Sequence, residues 1–138
     1  MEKISVLLVD DHPTFLQLAA SYLAKQEGLV VVGTIDKGAA ALKQTGELKP
    51  DLVLVDLTLP DVSGLKLLSE LRAAFPSLAI IALTMHSEIS YREAALAAGA
   101  DRFITKSNMI TRLVPAIREL QAAAAPLSAG WKQRLIDE

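Results

Sequence analysis

Five short apolar runs, each followed by a longer stretch with helical spacing, constrain this chain more than any other feature. Residues 4–9 (ISVLLV), 29–35, 52–55, 79–83 and 102–105 read as strands. Several are almost wholly Val, Ile and Leu, as strands covered on both faces are in a parallel sheet. The stretches between them are amphipathic. Leu16, Ala19, Ala20 and Leu23 share one face of the first; Leu68, Leu71 and Phe75 recur in the third; Met109, Leu113, Ile117 and Leu120 do so in the last. Residues 37–45 carry the weakest pattern, and the Ala-rich stretch 88–98 closes at Gly99, a good residue just past a helix end. Pro115 either kinks a helix begun at Asn108 or requires regular turns to start later. Alternation of this kind implies five βα units, with right-handed crossovers placing helices on both faces of a parallel sheet.

The length, 138 residues, suits one domain with a real core. Lys plus Arg number 14 and Asp plus Glu 16, a net charge of −2. That argues against a domain gripping nucleic acid by charge, so no direct nucleic-acid binding by this chain is expected. With no cysteine, disulfides, thiolate metal sites and thiol nucleophiles are excluded. Aromatics at 4% are too sparse for a base-stacking platform. No export signal and no apolar run of about 18 residues is present, so no membrane partner and a cytoplasmic location are expected.

In open α/β sheets, ligands bind beyond the carboxyl ends of the strands. Those ends carry Asp10 and Asp11, Asp56, Thr84 and Lys106. Taken singly, each has an ordinary role. Asp10 or Asp11 would N-cap the helix that Pro13 helps to start, Asp56 would be a turn acid, and Thr84 a capping hydroxyl. Lys106 is less easily placed, because a cation near a helix N-terminus is mildly unfavourable. Their coincidence on one rim suggests a joint chemistry. Clustered carboxylates repel, a hard cation such as Mg²⁺ relieves that repulsion, and a carboxylate beside it can attack phosphorus to form an acyl phosphate. An ammonium and a hydroxyl would hold the remaining phosphoryl oxygens.

The motifs VLLVDD (ending Asp10-Asp11), LVLVDLTLPDVSG (Asp56, Pro60, Gly64), IIALT (ending Thr84) and GADRFITK (Gly99 to Lys106), in this order and spacing, resemble the receiver domain of bacterial two-component response regulators. The resemblance spans about Ile4 to Gln121. It implies a doubly wound five-stranded sheet in the flavodoxin-like order 2-1-3-4-5. It implies that Asp56 accepts a phosphoryl group from the His of a sensor histidine kinase or a phosphotransfer protein. Asp11 and Asp56, with the backbone carbonyl of Thr58, would ligate Mg²⁺, while Asp10 acts through metal-bound water. Thr84 and Lys106 would bind the phosphoryl group. Thr84 and Phe103 would form the switch, and Thr58 and His86 would tune dephosphorylation. Phe103 also reads as plain core, His86 as a solvated loop residue, and the Thr58 side chain as incidental. Such a domain is not a conventional enzyme: it catalyses only its own phosphorylation and dephosphorylation, and signals through a phosphorylation-dependent partner or self-association.

The Asp10 to Pro13 opening (DDHP) and Lys106-Ser107 look most like receivers carrying a helix-turn-helix output domain, although Lys-Pro is commoner at the latter position. Residues 1–121 are expected to form the receiver and 122–138 a tail or linker. That tail is too short for a helix-turn-helix, which leaves a stand-alone receiver or a fragment of a DNA-binding transcription regulator. Within it, Leu127, Trp131 and Leu135 would line one stripe of a short docking helix. Two rivals fit less well. An Asp-nucleophile phosphatase would carry D-x-D rather than adjacent acids at the first strand's end. An FMN binder would need a Ser/Thr/Gly-rich loop there, where Asp10-Asp11-His12-Pro13 would instead repel a phosphate.

Overall fold

The computed structural model describes residues 3–86 and 88–124. Five parallel strands, β1 (Ile4–Val9), β2 (Leu29–Ile35), β3 (Leu52–Asp56), β4 (Ala79–Thr84) and β5 (Arg102–Thr105), lie in the order β2-β1-β3-β4-β5. Helices α1 (Pro13–Ala24), α2 (Ala41–Leu48), α3 (Gly64–Ala74), α4 (Ile89–Ala98) and α5 (Met109–Ala124) connect and follow them. None of the described helices is long and apolar enough to cross a membrane.

The period-two alternation of strand side chains divides the apolar residues between two cores. Val6, Leu8, Leu52, Leu54, Ile81 and Leu83 point to one face, where Leu16, Ala19 and Leu23 of α1 meet Leu113, Ile117 and Leu120 of α5. Leu7, Val9, Val53, Val55, Ile80 and Ala82 point to the other, against Leu67, Leu68 and Leu71 of α3 and Ala95 of α4. Each fully buried Leu or Ile contributes about 1.5–3 kcal/mol. The central strand β3 is buried throughout, while edge strand β2 is half open. The β1–β2 register shifts between Val6 and Leu7.

The strands fall where the apolar runs place them, with β3 and β4 each one residue longer, taking in Asp56 and Thr84. The weak second helix forms in two pieces, a 3₁₀ turn at Gly38–Ala40 followed by α2. Only small Gly38, Ala41 and Thr45 are buried along it, which explains the faint pattern. It ends at Lys49, in the left-handed region at φ 49°. Phe75 is the residue after α3 rather than within it. A 3₁₀ turn at Lys106–Asn108 precedes α5, whose regular turns begin at Met109, and Pro115 lies inside the helix. The helix continues past Gln121 to Ala124. The Leu127, Trp131 and Leu135 stripe lies outside the described residues.

The end of α4 is tied down by one side chain. Arg72 of α3 donates to the carbonyls of Gly99, Pro76 and Leu78 and to Asp101 Oδ2. Gly99 adopts φ 122°, and a Cβ there would meet Arg72 Cβ at 2.8 Å, so both conformation and space call for glycine.

Candidate functional site

The order reverses between β1 and β3, the switch point where open α/β sheets bind ligands. Three strand ends share one local device. Asp10 Oδ1 accepts the backbone N–H of His12 at 2.9 Å, Asp56 Oδ1 that of Thr58 at 3.0 Å, and Thr84 Oγ1 that of His86 at 3.1 Å. Each side chain closes a turn two residues long where its strand stops. The capping role considered for Asp10 or Asp11 is not what forms. His12 occupies the N-cap of α1 and makes no side-chain cap.

Lys106 bridges the two buried acids. Its Nζ lies 2.6 Å from Asp10 Oδ2 and 3.5 Å from Asp56 Oδ2, and 4.3 Å from the centroid of the Phe15 ring, over its face. The Lys106 side chain is 7% exposed, against 3% and 1% for those of Asp10 and Asp56. A lysine at the N-terminus of a helical turn is thus retained by carboxylates and an aromatic face.

The negative charge is not fully met. Burial holds the Asp56 carboxyl above its usual pKa; the Asp10 charge adds to this, while the Thr58 N–H and the Lys106 ammonium oppose it. Among the described residues, Asp11 Oδ1 and Asp10 Oδ2 are buried without a hydrogen bond. Asp10 Oδ2 still has its ion pair with Lys106, so the contact is electrostatic without hydrogen-bond geometry. Donor atoms of Asp10, Asp11, His12 and Asp56 all lie within 4.8 Å of one another. Several oxygens, excess negative charge and an unmet buried acceptor suit a hard divalent cation. These residues could hold one.

Thr84 is fully buried at the end of β4. Thr58 is exposed beside Asp56. His86 lies on the following loop, stacked on Tyr91 of α4 with ring centroids 4.8 Å apart and planes 3° from parallel. Phe103 is half-buried against the α3–α4 core and lines a groove of about 500 Å³ with Leu96 and Pro115. The structure therefore brings Asp10, Asp11, Asp56 and Lys106 into one cluster, with Thr58 bonded to it. Sequence reasoning missed Phe15 and Tyr91. Phe15 is the third residue of a helix starting at Pro13 and follows Asp11 by four residues, a spacing that keeps it near the same rim.

A family model described as the response regulator receiver domain matches residues 6–118. The response regulator GacA of Pseudomonas viridiflava is 36% identical over 132 residues, covering 96% of this chain and 62% of that protein. This chain thus spans less than two thirds of that relative's length. The crystal structure of a LuxR-family two-component response regulator from an Aurantimonas species superposes with a TM-score of 0.83 at 28% identity, covering 99% of this chain and 100% of that one. RcsB of Salmonella enterica serovar Typhimurium, in a structure bound to the promoter rprA, gives a TM-score of 0.81 at 28% identity, covering 88% and 61%. The strand order and the acidic rim agree with these likenesses: the chain belongs to the response regulator receiver domains of two-component systems, and is similar to receivers of the helix-turn-helix transcription-regulator subfamily.

Proposed function

We infer that Asp56 is the phospho-acceptor of a signalling receiver. One observation carries this reading: the buried Asp56 carboxylate shares the Lys106 ammonium with Asp10, at the end of the central strand. In the transfer, an Asp56 oxygen attacks the phosphorus of a phosphohistidine on a sensor kinase or phosphotransfer protein. The P–N bond breaks, the imidazole nitrogen leaves with the bonding pair and takes up a proton, and an acyl phosphate forms. Lys106 balances the charge on the phosphoryl oxygens. The Thr58 N–H holds Asp56 Oδ1 and so orients the carboxylate. Mg²⁺, when bound, supplies positive charge for the incoming oxygens; Asp11, Asp56 and the Thr58 carbonyl are the proposed ligands, with Asp10 acting through water. Hydrolysis returns Asp56 to its free form, with Thr58 and His86 tuning the rate.

Thr84 and Phe103 are the proposed switch. Drawing the Thr84 hydroxyl toward the phosphoryl group breaks its bond with the His86 N–H, and the space it leaves admits Phe103. The output is a changed surface for a protein partner or a second copy. Because the relatives are longer, and RcsB is seen on a promoter, a second reading makes this receiver the input part of a DNA-binding regulator. A small phosphodonor with Mg²⁺ should add one phosphoryl group to the intact mass, and Asp56→Ala should abolish the addition. Equal labelling of the variant would overturn the assignment.

A further inference from the structure

His12, the N-cap residue of α1, also belongs to the acidic cluster. Its Nδ1 lies 3.3 Å from Asp10 Oδ1 and 3.4 Å from Asp11 Oδ1, in the group whose donors all fall within 4.8 Å of one another. The backbone supports this placement. His12 sits in extended conformation at φ −92°, ψ 107° before Pro13, and its N–H is held by Asp10 Oδ1. The charge on the two sides of the cluster is unequal. Lys106 neutralises the Asp10 Oδ2 side at 2.6 Å, whereas Asp11 Oδ1 is buried without a hydrogen bond. The imidazole stands between the two acids, and Asp11 Oδ1 is the less compensated of its neighbours.

We propose that His12 Nδ1 is a further ligand for the divalent cation, and that it widens the site's choice from Mg²⁺ to borderline transition cations. The inference rests on the reading above that a cation binds between Asp11 and Asp56. Mg²⁺ favours oxygen donors and retained waters, and gains little from an imidazole. Cations such as Ni²⁺ and Co²⁺ take carboxylate oxygen and imidazole nitrogen together. Nδ1 stands within hydrogen-bond reach of Asp10 Oδ1; ligation replaces that contact, using the Nδ1 lone pair with the ring proton on Nε2. The side chain is 60% exposed, so that N–H meets water and the ring is free to adjust. His12 is thereby a specificity residue for the metal, distinct from the acids that hold any divalent cation.

The test is calorimetric titration of the full chain with Mg²⁺ and with Ni²⁺, for wild type, His12→Ala and Asp11→Ala. A companion measurement is electron spin echo of bound Cu²⁺, a cation that takes imidazole readily, which reads a directly ligated imidazole nitrogen. Removing one inner ligand should cost at least about tenfold in Ni²⁺ affinity, while Mg²⁺ affinity changes by less than about threefold. The nitrogen modulation should be present in wild type and absent in His12→Ala. Equal Ni²⁺ affinity in wild type and His12→Ala, or no nitrogen modulation in wild type, would make His12 a mere neighbour of the acids and overturn the inference while leaving the cation site standing. Retention of both cations by Asp11→Ala would overturn the cation reading itself.

Discussion

The ammonium of Lys106 is nearly 1 Å closer to Asp10 than to Asp56, at 2.6 Å against 3.5 Å. In the resting domain the lysine therefore serves first as counter-ion to the acid that is not the proposed acceptor. Lys106→Met should leave three carboxylates facing one another and lower unfolding stability in chelator by about 3 kcal/mol, the scale of a broken buried ion pair. Added Mg²⁺ should restore part of the loss. Urea denaturation with and without Mg²⁺ reads both effects, and an unchanged midpoint in chelator would contradict the geometry.

Asp56 should make the apo domain less stable as pH rises. Its folded pKa is raised above 3.8, mainly by burial. The folded state therefore binds the proton more tightly than the unfolded chain does. Asp56 thus favours folding below pH 3.8, and that contribution is lost as pH climbs through the raised value. Asp56→Asn, which can still accept the Thr58 N–H, should be more stable than wild type at neutral pH in chelator, on the order of 1 kcal/mol. The gap should close on acidification. Denaturation series between pH 4 and 8 check the sign; a gap that widens toward acid would refute it.

Phe15 should couple energetically to Lys106. The ammonium sits 4.3 Å above its ring, a contact worth about 0.5–2 kcal/mol when shielded from water. A double-mutant cycle with Phe15→Leu and Lys106→Met isolates the pair from the lost apolar contact. Purely additive effects would mean that the ring only fills space.

Thr84→Ala should separate phosphorylation from its consequence. The variant keeps Asp56 and Lys106, so a small phosphodonor should still label it. It lacks the hydroxyl that accepts the His86 N–H at 3.1 Å, and with it the proposed link to the loop. Hydrogen exchange across residues 84–106 should change on phosphorylation in wild type and change little in the variant. Identical responses would place the coupling elsewhere.

The strands were readable in the sequence because a strand covered on both faces permits few residue types, and β3, buried at every position, has the plainest pattern. The 3₁₀ turn and α2 were harder to read, since they pack through Gly38, Ala41 and Thr45, which carry little hydropathy. Asp10, Asp11, Asp56 and Lys106 could be grouped on one rim because in a parallel sheet position at a strand end fixes position in space. The contact of Phe15 with Lys106, the approach of His12 Nδ1 to the two acids and the stacking of Tyr91 could not. They depend on how a helix or loop turns against its neighbour, which no local spacing records.

The Arg72 clamp gives α4 the mechanics of a hinged arm. One end is pinned at Gly99 by two guanidinium hydrogen bonds. Along the helix only Ala95 is fully buried, and at the far end, beside the acidic rim, Ile89 is 71% exposed. Ten residues make an arm of about 15 Å. A swing of roughly 10° about the pinned end moves the free end by about 2.6 Å, several times the displacement near the clamp. It asks little of the core, because so few apolar contacts must slide. A pull at the β4–α4 loop would thus act on the free end directly, where the arm is least attached.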